Sequence, residues 1–176
     1  MGVTNSNKVI STDRIACNGS FRVTLALTAA PDILTNPTDI VLALDRSGSM
    51  AGEPLANVKL GAKTFIDIIE KATGGSGQIG SGSRIGVVSF ASAATDDTQL
   101  ITSVDALKAA VDALSSGGST NHAGAFEKAM QLFDPMSGNA RVIVMFTDGN
   151  TTTGAPPAPV AAAARAQGII IYCIGL

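Results

Sequence analysis

The chain has 176 residues, of which 45% are hydrophobic and only 4% aromatic, with a formal net charge of −2. That length suits one domain whose core is aliphatic. The basic residues are scattered, neither gathered on one face nor interleaved with aromatics, which argues against nucleic acid or an anionic membrane as a partner. No apolar run approaches the roughly 20 residues that cross a bilayer, and the N-terminus lacks the charged-then-apolar order of a signal peptide. No membrane insertion of this chain is therefore expected. Cys17 and Cys173 lie far apart and without metal-type spacing, so two free thiols are expected, with Cys173 buried in an apolar run.

In chain order, residues 8 to 28 read as two β-prone stretches, "KVISTDRIAC" and "SFRVTLALT", joined by Asn18-Gly19, the dipeptide best suited to a tight type I′ hairpin turn. Residues 1–38 are thus expected to form a β-hairpin extension and a connector, the latter marked by Pro31 and Pro37. From residue 39, short continuous apolar runs alternate with helical periodicities. "IVLAL" at 40, "IGVVSF" at 85, "VIVMF" at 142 and "IIIYCIG" at 169 each read as strands covered on both faces. Leu55, Val58, Ala62, Phe65 and Ile69 recur at helical spacing, as do Val104, Leu107, Val111 and Leu114, and then Ala125, Phe126, Ala129, Met130 and Phe133. "DTQLIT" at 97 follows the second run too closely for a helical crossover, which predicts an antiparallel edge strand. The fold class is α/β: a doubly wound, Rossmann-like, mostly parallel sheet flanked by helices. "TGGSGQIGSGSR" reads as a mobile loop, and "TTTGAPPAP" as a loop whose prolines start a helix.

Ligands of such sheets gather at the C-terminal strand ends. Three polar clusters fall there: Asp45, Ser47 and Ser49 after the first core strand, "GGSTNH" at 117 to 122, and "TDGN" at 147 to 150. They offer hard oxygen donors and no thiol, a set that favours magnesium or manganese over calcium, which usually attracts more carboxylates and carbonyls. Taken singly, Ser47 and Ser49 could cap a helix, Asp148 could serve a turn, and Ser119 could cap the helix that follows. His122, the only histidine, has a solvent-facing position in a first helical turn as its simplest reading. Arg46 either flanks the binding surface or is solvated.

Together, the D-x-S-x-S of Asp45, Ser47 and Ser49, the Thr120 of "GGSTNHAGAF" and the Asp148 of "MFTDG" resemble the metal-ion-dependent adhesion site of von Willebrand factor type A domains. The resemblance covers residues 39 to 176, and "PTDIVLALDRSGSMAG" is similar to the spelling found in Gram-positive bacterial surface proteins. It implies direct binding of the cation by Ser47, Ser49 and Thr120, with Asp45 and Asp148 acting largely through bound water. It also implies a non-enzymatic adhesion or assembly module in which the ion takes an Asp or Glu carboxylate from a partner protein. Arg46, Asn121, His122 and Asn150, beside these positions in sequence, are the partner-binding candidates, although the family does not require a histidine at 122. An extracellular or cell-surface setting follows, the cytoplasm being the alternative. The family continues through one more strand and a C-terminal helix, so those elements are expected to be missing from 39–176.

Two enzymatic readings compete. A serine hydrolase would use Ser47 or Ser49 with His122 and Asp148, but the G-x-S-x-G nucleophile elbow lacks its first glycine. A magnesium-dependent phosphoryl-transfer enzyme of the D-x-D kind would need an acid where Ser47 stands. "GAKTF" has no upstream P-loop glycine frame, and "GSGQIG" lies between a helix and a strand, the reverse of a dinucleotide site.

Overall fold

Each apolar run forms a strand, and the long periodic segments form helices. The computed structural model describes residues 36–175 in full and, before them, the backbone of two strands, β1 (Asn5–Ile10) and β2 (Val23–Thr28). Two units are distinguished, Met1–Asp32 and Ile33–Leu176.

In the first unit β1 and β2 pair antiparallel, with Ile10 opposite Val23 and Asn5 opposite Thr28. Asn18-Gly19 and Cys17 lie outside the described residues. A two-residue turn at Asn18-Gly19 would set Ile10 opposite Leu27, so the pairing differs from the expected register by four residues.

The second unit runs β3 (Thr38–Asp45), α1 (Glu53–Ala72), β4 (Arg84–Phe90), β5 (Ala94–Asp96), α2 (Val104–Asp112), α3 (His122–Leu132), β6 (Ala140–Thr147), α4 (Pro157–Ala166) and β7 (Ile169–Gly175). The strand order is β5-β4-β3-β6-β7, with only β5 antiparallel. Alternate residues of the central strands feed two cores. Leu42, Leu44, Val87 and Phe146 pack under α1 and α2, while Val41, Ala43, Val88 and Met145 pack under α3 and α4. The chain leaves β3 toward β4 and later returns to β6 on the other side of β3. The β3/β6 boundary is thus the switch point.

Three expectations need correction. The antiparallel edge strand is Ala94–Asp96, and the stretch "DTQLIT" contributes only a single bridge, Ile101 to Ile85. The Gly/Ser-rich loop is stapled: Glu70 Oε1 accepts from Gly77 N at 2.6 Å and Thr73 Oγ1 from Gly80 N at 2.9 Å, while Gln78 bridges Ser103. The last apolar strand, β7, is not covered on both faces. It pairs only with β6 among the described residues, and Ile170, Tyr172 and Cys173 are exposed.

At the opposite end from the switch point, Asp39 is fully buried. Its carboxylate accepts from Arg84 Nε at 2.9 Å and Nη2 at 2.7 Å, and from Asn139 Nδ2 at 3.0 Å. This bidentate pair ties β3 to β4 and to the segment entering β6.

Candidate metal centre

The apolar run of β3 carries the chain through the core and ends at Asp45, which is fully buried. Its Oδ1 accepts from Ser47 N at 2.9 Å and its Oδ2 from Thr147 Oγ1 at 2.7 Å. The first bond turns the chain back on itself, and a short 3₁₀ turn over Gly48–Met50 follows. Ser47 Oγ then lies 3.2 Å from Ser49 Oγ, whose hydroxyl donates to Asp148 Oδ1 at 3.1 Å.

Backbone bonds dock the second loop onto the first: Gly48 N donates to Gly118 O and Gly117 N to Arg46 O, both at 2.8 Å. Gly118 has φ +82, and a Cβ there would lie 2.8 Å from Ser92 Oγ, so only glycine fits this approach. Thr120 is buried, and its hydroxyl makes no hydrogen bond to any described residue, although its backbone is held by Thr152. The third loop is tied to the second in this way, with Asp148, Gly149 and Asn150 exposed at its tip.

The loops thus gather Asp45, Ser47, Ser49 and Asp148 into one connected oxygen cluster, with Thr120 on the loop docked beside it. The donor chemistry fits a divalent cation. Two carboxylates stand beside three hydroxyls that can turn lone pairs toward it, and the hydroxyl of Thr120 has no other described partner. Among the described residues no trio of His, Cys, Asp or Glu forms an alternative cage.

Of the flanking residues, Asn150 is exposed, whereas Asn121, Arg46 and His122 are engaged within the fold. Asn121, not Ser119, caps α3: its Oδ1 accepts from Gly124 N at 2.9 Å while its Nδ2 donates to Ser92 O at 3.2 Å. Gly154, at φ +84, lies so close to that amide that a Cβ would stand 2.3 Å from Oδ1. The Asn121 side chain is therefore spent on holding loops together. Arg46 is half-buried and turned toward β4, donating from Nε to Ser89 Oγ at 3.2 Å. Nearby, burial pushes the Asp97 carboxyl up, offset in part by Ser89 and Arg46.

His122 is not solvent-facing. It is buried, stacked edge-on to Phe90, and bonded through Nε2 to Thr147 Oγ1 at 3.0 Å and through Nδ1 to Thr151 Oγ1 at 2.7 Å. Both nitrogens serve threonines, and Asp148 bonds Ser49, so the Ser-His-Asp arrangement of a hydrolase is not assembled. Thr147 and Thr151 were not singled out in the sequence. The first stands directly before Asp148 at a strand end, which is a usable signal, whereas nothing local marks the second.

Burial holds the His122 imidazole below its ordinary value, and the charges of Asp45 and Asp148 only partly pull it back up. The folded state then resists protonation, so the stability gained from neutral His122 is complete above about pH 6.5 and is lost as pH falls through the lowered folded value. The melting temperature in chelator is expected to decline below about pH 6.5, and His122→Gln should flatten that decline. An unchanged pH profile in this variant would count against the assignment.

A doubly wound sheet with such an oxygen cluster at its switch point defines a ligand-binding α/β domain. The chain belongs to the von Willebrand factor type A domain family, whose model matches residues 39–176. Solved structures agree. The proximal thread matrix protein 1 of the mussel byssus, solved with a zinc-occupied MIDAS motif, is 25% identical with a TM-score of 0.67, over 80% of this chain and 36% of that one. A von Willebrand factor type A protein from Catenulispora acidiphila is 23% identical with a TM-score of 0.68, over 87% and 35%. The vWF domain of a type V pili tip protein from Porphyromonas gingivalis is 22% identical with a TM-score of 0.59, over 66% and 39%. This chain therefore spans little more than a third of the length of these three relatives.

Proposed function

We propose that residues 39–176 form a non-enzymatic, divalent-cation-dependent protein-binding module for adhesion or assembly, with residues 1–38 as an extension. Ser47, Ser49 and Thr120 would hold the cation directly, and Asp45 and Asp148 through water. A bound magnesium or manganese ion supplies an electron-poor position open to a carboxylate from outside. Neutral hydroxyls give dipoles but no charge, so an ion they hold keeps its attraction for an anion. An Asp or Glu of a partner protein is the matching group, and the exposed Ser49, Asp148 and Asn150 stand where it would approach.

The observation that carries this reading is the Asp45–Ser47–Ser49–Asp148 cluster, joined through the Ser47 backbone N–H and its hydroxyl, with Thr120 on the loop docked beside it. The zinc-occupied motif of the mussel protein supports a metal in this fold and leaves room for an ion other than magnesium. Its byssal matrix setting favours deployment outside the cell, at a cell surface or beyond.

Thr120→Val keeps the shape of the side chain and removes one direct donor. Magnesium and manganese affinity should fall at least about tenfold by titration calorimetry, with the melting temperature in chelator unchanged. Unaltered affinity would defeat the assignment. Capture of a surface protein in magnesium and its release by chelator would identify the partner.

A further inference from the structure

Four side chains from three separate segments form one hydrogen-bonded file beneath the metal centre. Asp45 closes β3, Thr147 and Thr151 belong to the β6 end and the loop after it, and His122 opens α3. Proton bookkeeping gives the file a direction. A carboxylate has no proton to give, so the single Thr147 hydroxyl proton goes to Asp45 Oδ2 at 2.7 Å. Thr147 then has only lone pairs to offer His122, so the nitrogen 3.0 Å away, Nε2, carries a hydrogen. In the neutral ring Nδ1 is left as an acceptor, and the Thr151 hydroxyl donates to it at 2.7 Å. The Phe90 ring, 5.4 Å away at 61°, fixes the plane in which both bonds are made.

The geometry points to His122 as a positioning residue for the metal centre: it locks the Thr147 proton onto Asp45 and so ties the orientation of that carboxylate to the seating of the Thr151 loop. This rests on the cation-site reading above. Without the Nε2 hydrogen, Thr147 Oγ1 keeps only the longer bond from Gly149 N, at 3.3 Å, so the hydroxyl that donates to Asp45 Oδ2 is less firmly oriented. Thr151 shares its loop with Asp148 and Asn150, and the adjacent Thr152 exchanges bonds with the Thr120 backbone, accepting at 2.8 Å and donating at 2.9 Å. A partner that presses on this loop therefore acts on Asp45 without touching it.

His122 is the single histidine of the chain, so imidazole nitrogen NMR reads its tautomer without ambiguity. The metal-free protein should show the Nε2–H form, and Thr151→Val should disturb it. His122→Phe keeps the packing and loses the donor, and should weaken manganese binding by roughly tenfold in calorimetry. His122→Gln, whose amide can donate from a similar position, should restore most of the affinity. His122→Phe/Thr147→Val should bind no more weakly than Thr147→Val alone, because both act through one bond. A wild-type ring in the Nδ1–H form overturns the inference, as does His122→Phe binding manganese as tightly as wild type. If His122→Phe does not fold, the weakened binding expected of Thr151→Val decides instead. Absence of manganese uptake by the wild-type protein defeats the cation-site reading and not the file, on which the tautomer then decides alone.

Discussion

Asp45→Asn should lose most divalent-cation affinity while leaving the metal-free domain as stable as wild type, or more so. A unit negative charge about 4 Å from a divalent ion is worth about 2 kcal/mol at the dielectric of water and about 8 kcal/mol at an effective value near 20. Even the lower bound weakens binding by about 30-fold. Stability moves the other way because Asp45 is fully buried and, without a cation, offsets its desolvation among the described residues only through Ser47 N and Thr147 Oγ1. Asparagine keeps an oxygen for Ser47 N and removes the charge, and its amide donates to Thr147 Oγ1, whose own proton can turn to His122 Nε2 in the other tautomer. Calorimetric titration with magnesium, together with melts in chelator, separates the two effects. A large fall in the metal-free melting temperature would show instead that the carboxylate holds the fold.

Arg84→Met should give the largest loss of stability. It leaves the Asp39 carboxylate, fully buried between β3 and its neighbours, with the Asn139 amide as its one remaining side-chain donor among the described residues. Removing one partner of a buried pair costs about 3–5 kcal/mol. The Arg84 side chain is 37% exposed, so water reaches the gap and the lower figure applies. For a domain of this size, about 3 kcal/mol lowers the melting temperature by roughly 10 °C. Adding Asp39→Asn removes the stranded charge and should recover part of the loss. A shift under about 2 °C in the single variant would mean that the pair is screened and incidental.

The von Willebrand factor fold was legible because its signals are local. An apolar run of strand length that stops at Asp45 reads as a strand reaching a sheet end, and the spacing of Leu55, Val58, Ala62 and Ile69 places one face of α1 on the core. Order along the chain then dictates the doubly wound topology and its switch point, where Asp45, Thr120 and Asp148 fall. Whether a given side chain is covered was not legible, because that depends on residues far away in sequence. Cys173 lies in a run as apolar as β3, but β3 has a strand on each side and β7 only one among the described residues, so one is buried and the other open. His122 reads as an ordinary first-turn residue until Thr147 and Thr151, 25 and 29 positions on, close over its two nitrogens. Asn121 and Ser119 offer equally good caps by type, and the contacts of Asn121 with Ser92 and Gly154 decide between them. The elements, their order and the kind of oxygens at the sheet's edge were readable from the residues alone, since each is fixed by neighbours within a few positions. Which polar groups are buried, and which partners they meet, came from the packed fold alone, since a hydrogen bond across the sheet needs both partners in place.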